Sequence, residues 1–116
     1  MALQNLQAER RSQPRYAVDT HATLFFIDVR ARIAGRILDL SMGGCRIRSE
    51  GRFPVGIYRR VETEFKVDGL PFRLAGVVQS LHDKFTVGIR FLDVSPRKRD
   101  QLAQLTEEME KAGTRD

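Results

Sequence analysis

The sequence has little cysteine and no long apolar run. Cys45 is its single cysteine, which excludes an internal disulfide and agrees with a reducing compartment. No stretch approaches the roughly 18 apolar residues of a membrane-spanning helix, and residues 1–10 lack the apolar core of a signal peptide. These absences predict a cytoplasmic chain that does not insert into a membrane.

The residues on which most enzymes depend are also scarce. Of the two histidines, His21 begins a predicted strand and His82 lies in a turn, and nothing places either beside Cys45 or a serine as an activated nucleophile. No His, Cys and carboxylate cluster has metal-ligand spacing, and no G-x-x-x-x-G-K-S/T loop is present. We therefore predict no enzymatic activity, no metal and no cofactor.

What the chain does have is a globular composition with an excess of basic residues. Its 116 residues are 41% hydrophobic and 30% charged, which fits one globular domain. The net charge of +5 and the pI near 10.0 favour an anionic partner: a nucleic acid, a nucleotide or an acidic protein surface. A solvated basic surface without a partner is the alternative.

A compact apolar run at 24–27 and alternating apolar and polar residues later in the chain predict six short strands, over residues 20–29, 30–40, 45–49, 60–67, 72–80 and 85–91. Asp68-Gly69 is typical of the hairpin turn that would join the fourth and fifth strands. Closing an antiparallel sheet removes its aggregation-prone edges, so this pattern favours a barrel. The predicted fold class is all-β, a six-stranded antiparallel barrel with a C-terminal helix.

The helix is predicted to follow the barrel directly. Ser95 is a suitable N-cap and Pro96 suits the first helical position, so we expect a helix from Pro96 to about Lys111. Its apolar stripe of Leu102, Leu105 and Met109 would pack on the barrel rather than on a partner. The expected organisation is a flexible N-terminal arm (1–16), the barrel (17–94) and the helix (95–112).

The polar residues of greatest interest surround the turn between the second and third strands. Asp39 and Ser41, two residues apart, would face the same side if the strand persists that far. Gly43 and Gly44 can adopt positive φ and, lacking Cβ, would let a ligand approach the backbone. Stabilisation of the turn by Asp39 and Ser41 is the alternative.

Arginines in the N-terminal segment complete the pattern. Pro14 disfavours a helix before it, so Arg11 and Arg15 are expected on an extended segment, where they could reach different parts of one ligand. Arg10 directly precedes them. A solvated basic arm is the alternative for all three.

Together these residues resemble the PilZ domain family. Arg11-Ser12-Gln13-Pro14-Arg15 matches its R-x-x-x-R motif, and Asp39-Leu40-Ser41-Met42-Gly43-Gly44 matches its D/N-x-S-x-x-G motif. The later 76–78 and 85–91 also look like the last barrel strands of that family. The resemblance covers nearly the whole chain and implies a stand-alone PilZ-type barrel that binds cyclic di-GMP.

The resemblance also implies a role for each motif residue. Arg11 and Arg15 would contact phosphate and guanine, Asp39 and Ser41 the guanine end, and Gly43 and Gly44 would allow close approach of the backbone. Arg10 could help to hold a second, stacked ligand molecule. The chemistry is consistent, because a carboxylate accepts the guanine N1–H and N2–H donors, whereas arginine binds O6, N7 and phosphate.

A PilZ-like chain would be a bacterial receptor rather than an enzyme. Ligand binding would order the arm (1–16) over the barrel and signal to a separate effector protein, in motility, polysaccharide or biofilm control. One rival is a basic barrel that binds single-stranded nucleic acid by stacking on aromatic side chains. That reading is disfavoured because Phe65, Phe72, Phe85 and Phe91 fall on predicted core faces, which leaves Phe25 or Phe26, Tyr16 and Tyr58. A ligand-free interaction module is the second rival, and the complete motifs argue against it.

Overall fold

The chain forms a closed antiparallel barrel followed by one helix. The computed structural model describes residues 14–52, 56–67 and 69–114, with side chains as far as Lys111. Within these ranges the elements are β1 (Tyr16–Phe26), β2 (Ala31–Leu40), β3 (Gly44–Ser49), β4 (Arg60–Val67), β5 (Leu70–Leu81), β6 (Thr86–Phe91) and α1 (Pro96–Thr114). Their order around the barrel is β1-β2-β3-β6-β5-β4, so the predicted six-stranded fold is confirmed.

The first strand differs most from its prediction. It begins at Tyr16 rather than residue 20, because Tyr16 and Ala17 pair with the end of β2, and it stops at Phe26, where the turn 27–30 begins. The predicted flexible arm, apart from residues 14–16, lies outside the described residues, and so do Arg10 and Arg11. Residues 53–55 and Asp68 also lie outside them.

The core fills the barrel with the inward side chains that the alternation predicted. On β4, Val61, Thr63 and Phe65 are buried, and Phe65 stacks on Phe72 of β5 with ring centroids 5.3 Å apart. Thr63 is accommodated because its hydroxyl donates to the Leu74 carbonyl across the strand pair at 3.1 Å. The core is therefore continuous through the barrel.

The prediction of a core position for Phe85 is wrong. Strand β6 starts one residue later, at Thr86, and Phe85 lies in the preceding turn with 37% of its surface exposed. Of the two alternatives Phe25 and Phe26 for an exposed aromatic residue, Phe26 is buried in the core and Phe25 is half-buried, whereas Tyr58 is 71% exposed. Tyr58 lies in the turn before β4, where its backbone N–H donates to the Val78 carbonyl of β5.

The turn before β6 is organised by Asp83. One carboxylate oxygen accepts hydrogen bonds from the backbone N–H groups of Phe85 and Thr86, both at 2.8 Å. These bonds, the Phe85 N–H foremost, lower the pKa of Asp83 below its usual 3.8, and the charge of Arg48 acts in the same direction. The ionised form is therefore the one that holds the turn.

We expect Asp83→Asn to weaken the pH dependence of stability in acid. A pKa that is lower in the folded state gives stability that is present above the unfolded value near 3.8 and is lost as the pH falls through the folded value. Urea denaturation of both proteins from neutral pH down to pH values below about 4 would measure the difference. Parallel curves for the two proteins would contradict this role of the carboxylate.

Helix α1 begins and packs as predicted. The Ser95 hydroxyl accepts the Lys98 N–H at 3.2 Å, which caps the helix, and Pro96 is its first residue. Leu102 and Leu105 are buried in the barrel core, and Met109 packs at its edge. Within the described residues, no helix is both long and apolar enough to cross a membrane.

Removing the cap should have a measurable effect on stability. We expect Ser95→Ala to lower the free energy of unfolding by about 1 kcal/mol, because the Lys98 N–H loses its acceptor. Ser95→Asp should retain most of the stability, since a carboxylate caps equally well. Thermal denaturation of the three proteins is the measurement, and equal melting temperatures for Ser95→Ala and the parent chain would contradict the prediction.

Candidate functional site

Asp39 reaches the outer face of the barrel because β2 contains a bulge. Ile37 pairs with Ile47 of β3, but the next pair is Asp39 with Arg46, so Leu38 is an extra residue. An extra residue reverses the alternation of side chains. Asp39 therefore lies on the same face as Arg46, whereas Ile37 points into the core.

A second bulge lies on the other side of the same surface. On β5, Val78 pairs with Ile89 and Ser80 with Gly88 of β6, which leaves Gln79 as an extra residue. The bulged strands β2 and β5 thus flank β3 and β6, and bulges bend the strands that contain them. The sheet forms a trough here, with β3 and β6 as its floor.

The Asp39 carboxylate lies between two arginines. Arg15 Nη1 donates a hydrogen bond to Asp39 Oδ1 at 3.0 Å, and Arg46 Nε lies 3.0 Å from Oδ2. The second contact is an ion pair whose angle does not make a hydrogen bond, so Arg46 Nε is buried without a hydrogen-bond partner. Asp39 is almost buried, whereas both guanidinium groups are partly exposed and keep N–H donors for an anion.

The turn after β2 is closed by Ser41. Its backbone N–H and its hydroxyl both donate to the Gly44 carbonyl, at 2.8 and 3.3 Å, and the hydroxyl accepts the Gly43 N–H at 3.3 Å. The strand ends at Leu40, so Ser41 belongs to the turn rather than to an extension of the strand beyond Asp39. The turn-stabilising role that we considered as an alternative for Ser41 is thus observed, and the residue still lines the trough.

The two glycines do not use the backbone freedom that we considered for them. Among the described glycines, positive φ occurs at Gly69 (78°), in the turn between β4 and β5, and not at Gly43 or Gly44. Gly44 is needed for a different reason: a Cβ there would meet the carbonyl of Ile89 on the neighbouring strand β6. The absence of a side chain lets β3 and β6 pair closely and leaves the trough floor without a side chain at Gly44.

Two adjoining clefts, of about 670 and 460 Å³, occupy the trough. Both are lined by Arg15, Gln79 and Ile89. The larger one is also lined by Ser41, Gly43, Gly44, Arg90 and Phe91, and the smaller one by Asp39, Arg46, Ser80, His82 and Gly88. The combined surface offers one carboxylate, three guanidinium groups and a glycine floor.

The trough is connected to helix α1 through two contacts. The first involves Tyr16, which directly follows Arg15, and Glu110 of the helix. The pKa of Tyr16 is raised by desolvation, by the charge of Glu110 and by a hydrogen bond to Glu110. In the second, the Thr106 hydroxyl of the helix donates a long hydrogen bond to the sulfur of Met42 in the turn, at 3.8 Å. The helix therefore supports both the arginine side and the turn side of the trough.

Cys45 packs beneath this surface, in an environment that disfavours a reactive thiolate. It pairs with Leu40 at the end of β2 and faces the core, where it is buried. Burial raises the pKa of the thiol far above its usual range, and the charge of Asp39 raises it further. The thiol is therefore protonated. In the described part of the chain, no group of three or more His, Cys, Asp and Glu side chains could hold a metal ion.

The structure brings five of the sequence-predicted site residues together: Arg15, Asp39, Ser41, Gly43 and Gly44. Arg10 and Arg11 lie outside the described residues. Sequence reasoning missed Arg46, Gln79, Ser80, His82 and Arg90. Alternation on β3 does place Arg46 outward, but its pairing with Asp39 depends on the bulge, for which the local sequence gives no signal.

Comparison with known proteins agrees with the fold and the motifs. The PilZ domain family model matches residues 9–108. None of the curated proteins matches the chain significantly. The match includes both motifs and every strand of the barrel.

Solved structures with the same fold include the PilZ domain of Escherichia coli YcgR with c-di-GMP, at 21% identity and a TM-score of 0.73, over 90% of this chain and 94% of that one. The PilZ domain of CeSA from a cellulose-synthesizing bacterium is 15% identical, with a TM-score of 0.69, over 84% and 98% of the two chains. The MrkH–c-di-GMP complex of K. pneumonia is 13% identical, with a TM-score of 0.74, over 91% and 55%. With a family match over most of its length and this shared barrel, the chain belongs to the PilZ domain family.

Proposed function

We propose that this chain is a receptor for cyclic di-GMP that binds the dinucleotide in the trough over β3 and β6. The observation that carries the proposal is the nearly buried Asp39 carboxylate between the Arg15 and Arg46 guanidinium groups, beside a floor in which Gly44 has no side chain. Membership of the PilZ family supports it. So do the structures of YcgR and MrkH, which have the same fold and are described with c-di-GMP.

The chemistry of the trough matches the two parts of such a ligand. Asp39 makes one hydrogen bond, to Arg15, and so keeps acceptor capacity for the N1–H and N2–H groups of guanine. The exposed N–H groups of Arg15, Arg46 and Arg90 can bind phosphate or the O6 and N7 edge of a base. A purely anionic ligand would leave Asp39 without a role, which is why a guanine nucleotide fits better than phosphate alone.

The N-terminal residues complete the proposed receptor. Arg10 and Arg11 precede Arg15 in the chain, and Arg15 lies at the edge of the trough, so these arginines can reach a ligand in it. We propose that binding orders residues 1–16 over the ligand, with Arg11 and Arg15 on phosphate and guanine, and Arg10 beside a second molecule. The ordered segment would form a surface for a separate effector protein that controls motility, polysaccharide or biofilm formation.

Calorimetric titration of the full chain with cyclic di-GMP tests the receptor function. GTP and a short single-stranded oligonucleotide serve as controls. Saturable heat from cyclic di-GMP alone is the expected result, and the titration also gives the ligand stoichiometry. Binding of the oligonucleotide instead, with a steep dependence on salt, would favour the nucleic-acid barrel. An absence of heat from all three ligands would contradict both functions.

Hydrogen exchange tests the ordering of the N-terminal segment separately. A ligand that binds the closed arrangement better than the open one shifts the population toward the closed one. Amide exchange in residues 9–16 should therefore slow at saturating cyclic di-GMP, while the barrel strands change little. Unchanged exchange in this segment, in a protein that binds the ligand, would contradict the proposed closure and leave the receptor function intact.

A further inference from the structure

Two turns of the barrel expose large apolar side chains to solvent. The turn between β1 and β2 contains Ile27 and Val29, which are 44% and 55% exposed. The turn before β4 contains Ile57 and Tyr58, which are 45% and 71% exposed. We call these four residues the apolar tip.

The two turns lie side by side. Phe26, the last residue of β1, pairs with Val61 at the start of β4, so both turns leave the barrel at the same place. An ion pair between Arg59 Nη1 and Asp28 Oδ2, at 3.0 Å, joins them. The trough turn at 41–43 follows the other end of β2, whereas the turn before β4 adjoins the β5 wall of the trough, because the Tyr58 N–H donates to the Val78 carbonyl next to Gln79. None of the four residues of the apolar tip lines either cleft.

The apolar tip is surrounded by positive charge. Residues 27–32 and 56–60 contain four arginines, Arg30, Arg32, Arg59 and Arg60, and one acidic residue, Asp28, which Arg59 already pairs. All four arginines are exposed. Arginine can keep its charged head in a polar layer while its stem lies along apolar surface, so apolar and basic residues can act together at an interface.

The backbone of both turns is also unusual. Arg30 has φ of 51° and Tyr58 has φ of 67°, in the left-handed region that non-glycine residues rarely occupy. Each turn thus holds one non-glycine residue in an unfavourable conformation while displaying apolar side chains to water. None of the four residues belongs to the core cluster or to the residues packed against it, so core packing does not account for apolar side chains at these positions.

We propose that the apolar tip and its arginines form a docking surface for an anionic phospholipid membrane. Exposed apolar side chains with a basic rim suit the boundary between headgroups and acyl chains. The rim arginines would bind the anionic headgroups, each adding to the attraction. A protein partner would need a complementary surface, whereas a lipid surface can deform around the tip. The chain would lie on the membrane surface without crossing it.

Sedimentation with vesicles tests the proposal on the full chain. We expect binding to vesicles of phosphatidylcholine mixed with phosphatidylglycerol, weaker binding to phosphatidylcholine alone, and release at high salt. The double variant Ile27→Ser, Val29→Ser should reduce binding about tenfold, because two apolar side chains no longer enter the interface. Arg60→Glu should reduce it as well. A failure of the parent chain to bind the anionic vesicles would overturn the proposal.

The chain offers matched controls at other places. Leu70, at the start of β5, is also exposed, at 37%, and Leu70→Ser should leave vesicle binding unchanged. Arg97→Glu, in the first turn of α1, is the control for Arg60→Glu. Equal losses in the tip variants and in these controls would show non-specific attraction of a basic protein and would overturn the proposal. Melting temperatures confirm that each variant is folded.

A spectroscopic probe follows from the absence of tryptophan in the sequence. Tyr58→Trp introduces the sole indole, at the most exposed position of the tip, and its emission should shift to shorter wavelength with the anionic vesicles. An unshifted emission in sedimented protein would overturn the proposal. Size-exclusion chromatography tests whether a second copy of the chain covers the tip instead. If the chain forms a dimer without lipid, and the double variant Ile27→Ser, Val29→Ser is monomeric, membrane docking is overturned in favour of self-association.

Discussion

Gly44→Ala is expected to lower the free energy of unfolding by about 3 kcal/mol or more, or to prevent folding. The added Cβ would meet the backbone carbonyl of Ile89, which belongs to the neighbouring strand β6. A backbone atom in a closed barrel cannot move aside by a change of rotamer, so β3 and β6 would have to separate. The separation would also lengthen the hydrogen bond between the Phe91 N–H and the Gly43 carbonyl, now 2.8 Å.

Urea denaturation of Gly44→Ala beside a control glycine measures this effect. A Cβ at Gly51 or Gly56 would meet no atom within 4 Å, and neither residue has positive φ. Gly51→Ala and Gly56→Ala should therefore change the free energy of unfolding by less than about 0.5 kcal/mol. Similar midpoints for Gly44→Ala and the two controls would mean that β3 and β6 leave room for a Cβ at Gly44.

Arg15→Ala is expected to weaken cyclic di-GMP binding about 10- to 100-fold, which corresponds to about 1–3 kcal/mol. Arg15 lines both clefts and presents exposed N–H donors beside Asp39, so its loss removes a ligand contact. The loss also leaves Asp39 facing Arg46 alone. Arg15→Lys should recover only part of the affinity, because an ammonium cannot form the two parallel bonds of a guanidinium.

Arg59 is a close structural match for Arg15. Each donates through Nη1 to an aspartate at 3.0 Å, and their side chains are 58% and 59% exposed. Arg59→Ala therefore removes the same charge and an ion pair to a more exposed aspartate, at a residue that lines neither cleft, and cyclic di-GMP affinity should not change. Calorimetric titration of the two variants decides the matter. Equal affinities in both would show that Arg15 does not contact the ligand.

Most of the barrel could be predicted because its signals are local. The alternation on β4, the capping residues of α1 and the apolar stripe with Leu102 and Leu105 each lie within one element, and each has the predicted role. The predicted core position of Phe85 was wrong because the turn held by Asp83 extends one residue into the apparent strand. A side chain that organises a turn overrides alternation at the strand end.

The candidate site was predictable only in part, because its geometry depends on pairing between strands. The motif residues Asp39 and Ser41 are two residues apart in sequence and were found as a group, and the structure places Arg15 beside Asp39. Arg46 and Ser80 enter the site because of extra residues in β2 and β5. No pattern within a single strand reveals which residue its partner will skip.

The bulges at Leu38 and Gln79 mean that the shape of the trough is encoded by the number of residues in its walls. Strand β2 contains one residue more than β3 where the two pair, and β5 one more than β6, and this surplus length makes the sheet curve instead of lying flat. Leu38 lines neither cleft. A chain shortened at Leu38 would keep both motifs and all the residues that line the clefts, yet lose curvature beneath them. A complete motif is thus compatible with a flattened surface, and strand length deserves the same scrutiny as residue identity when binding is inferred for other barrels of this kind.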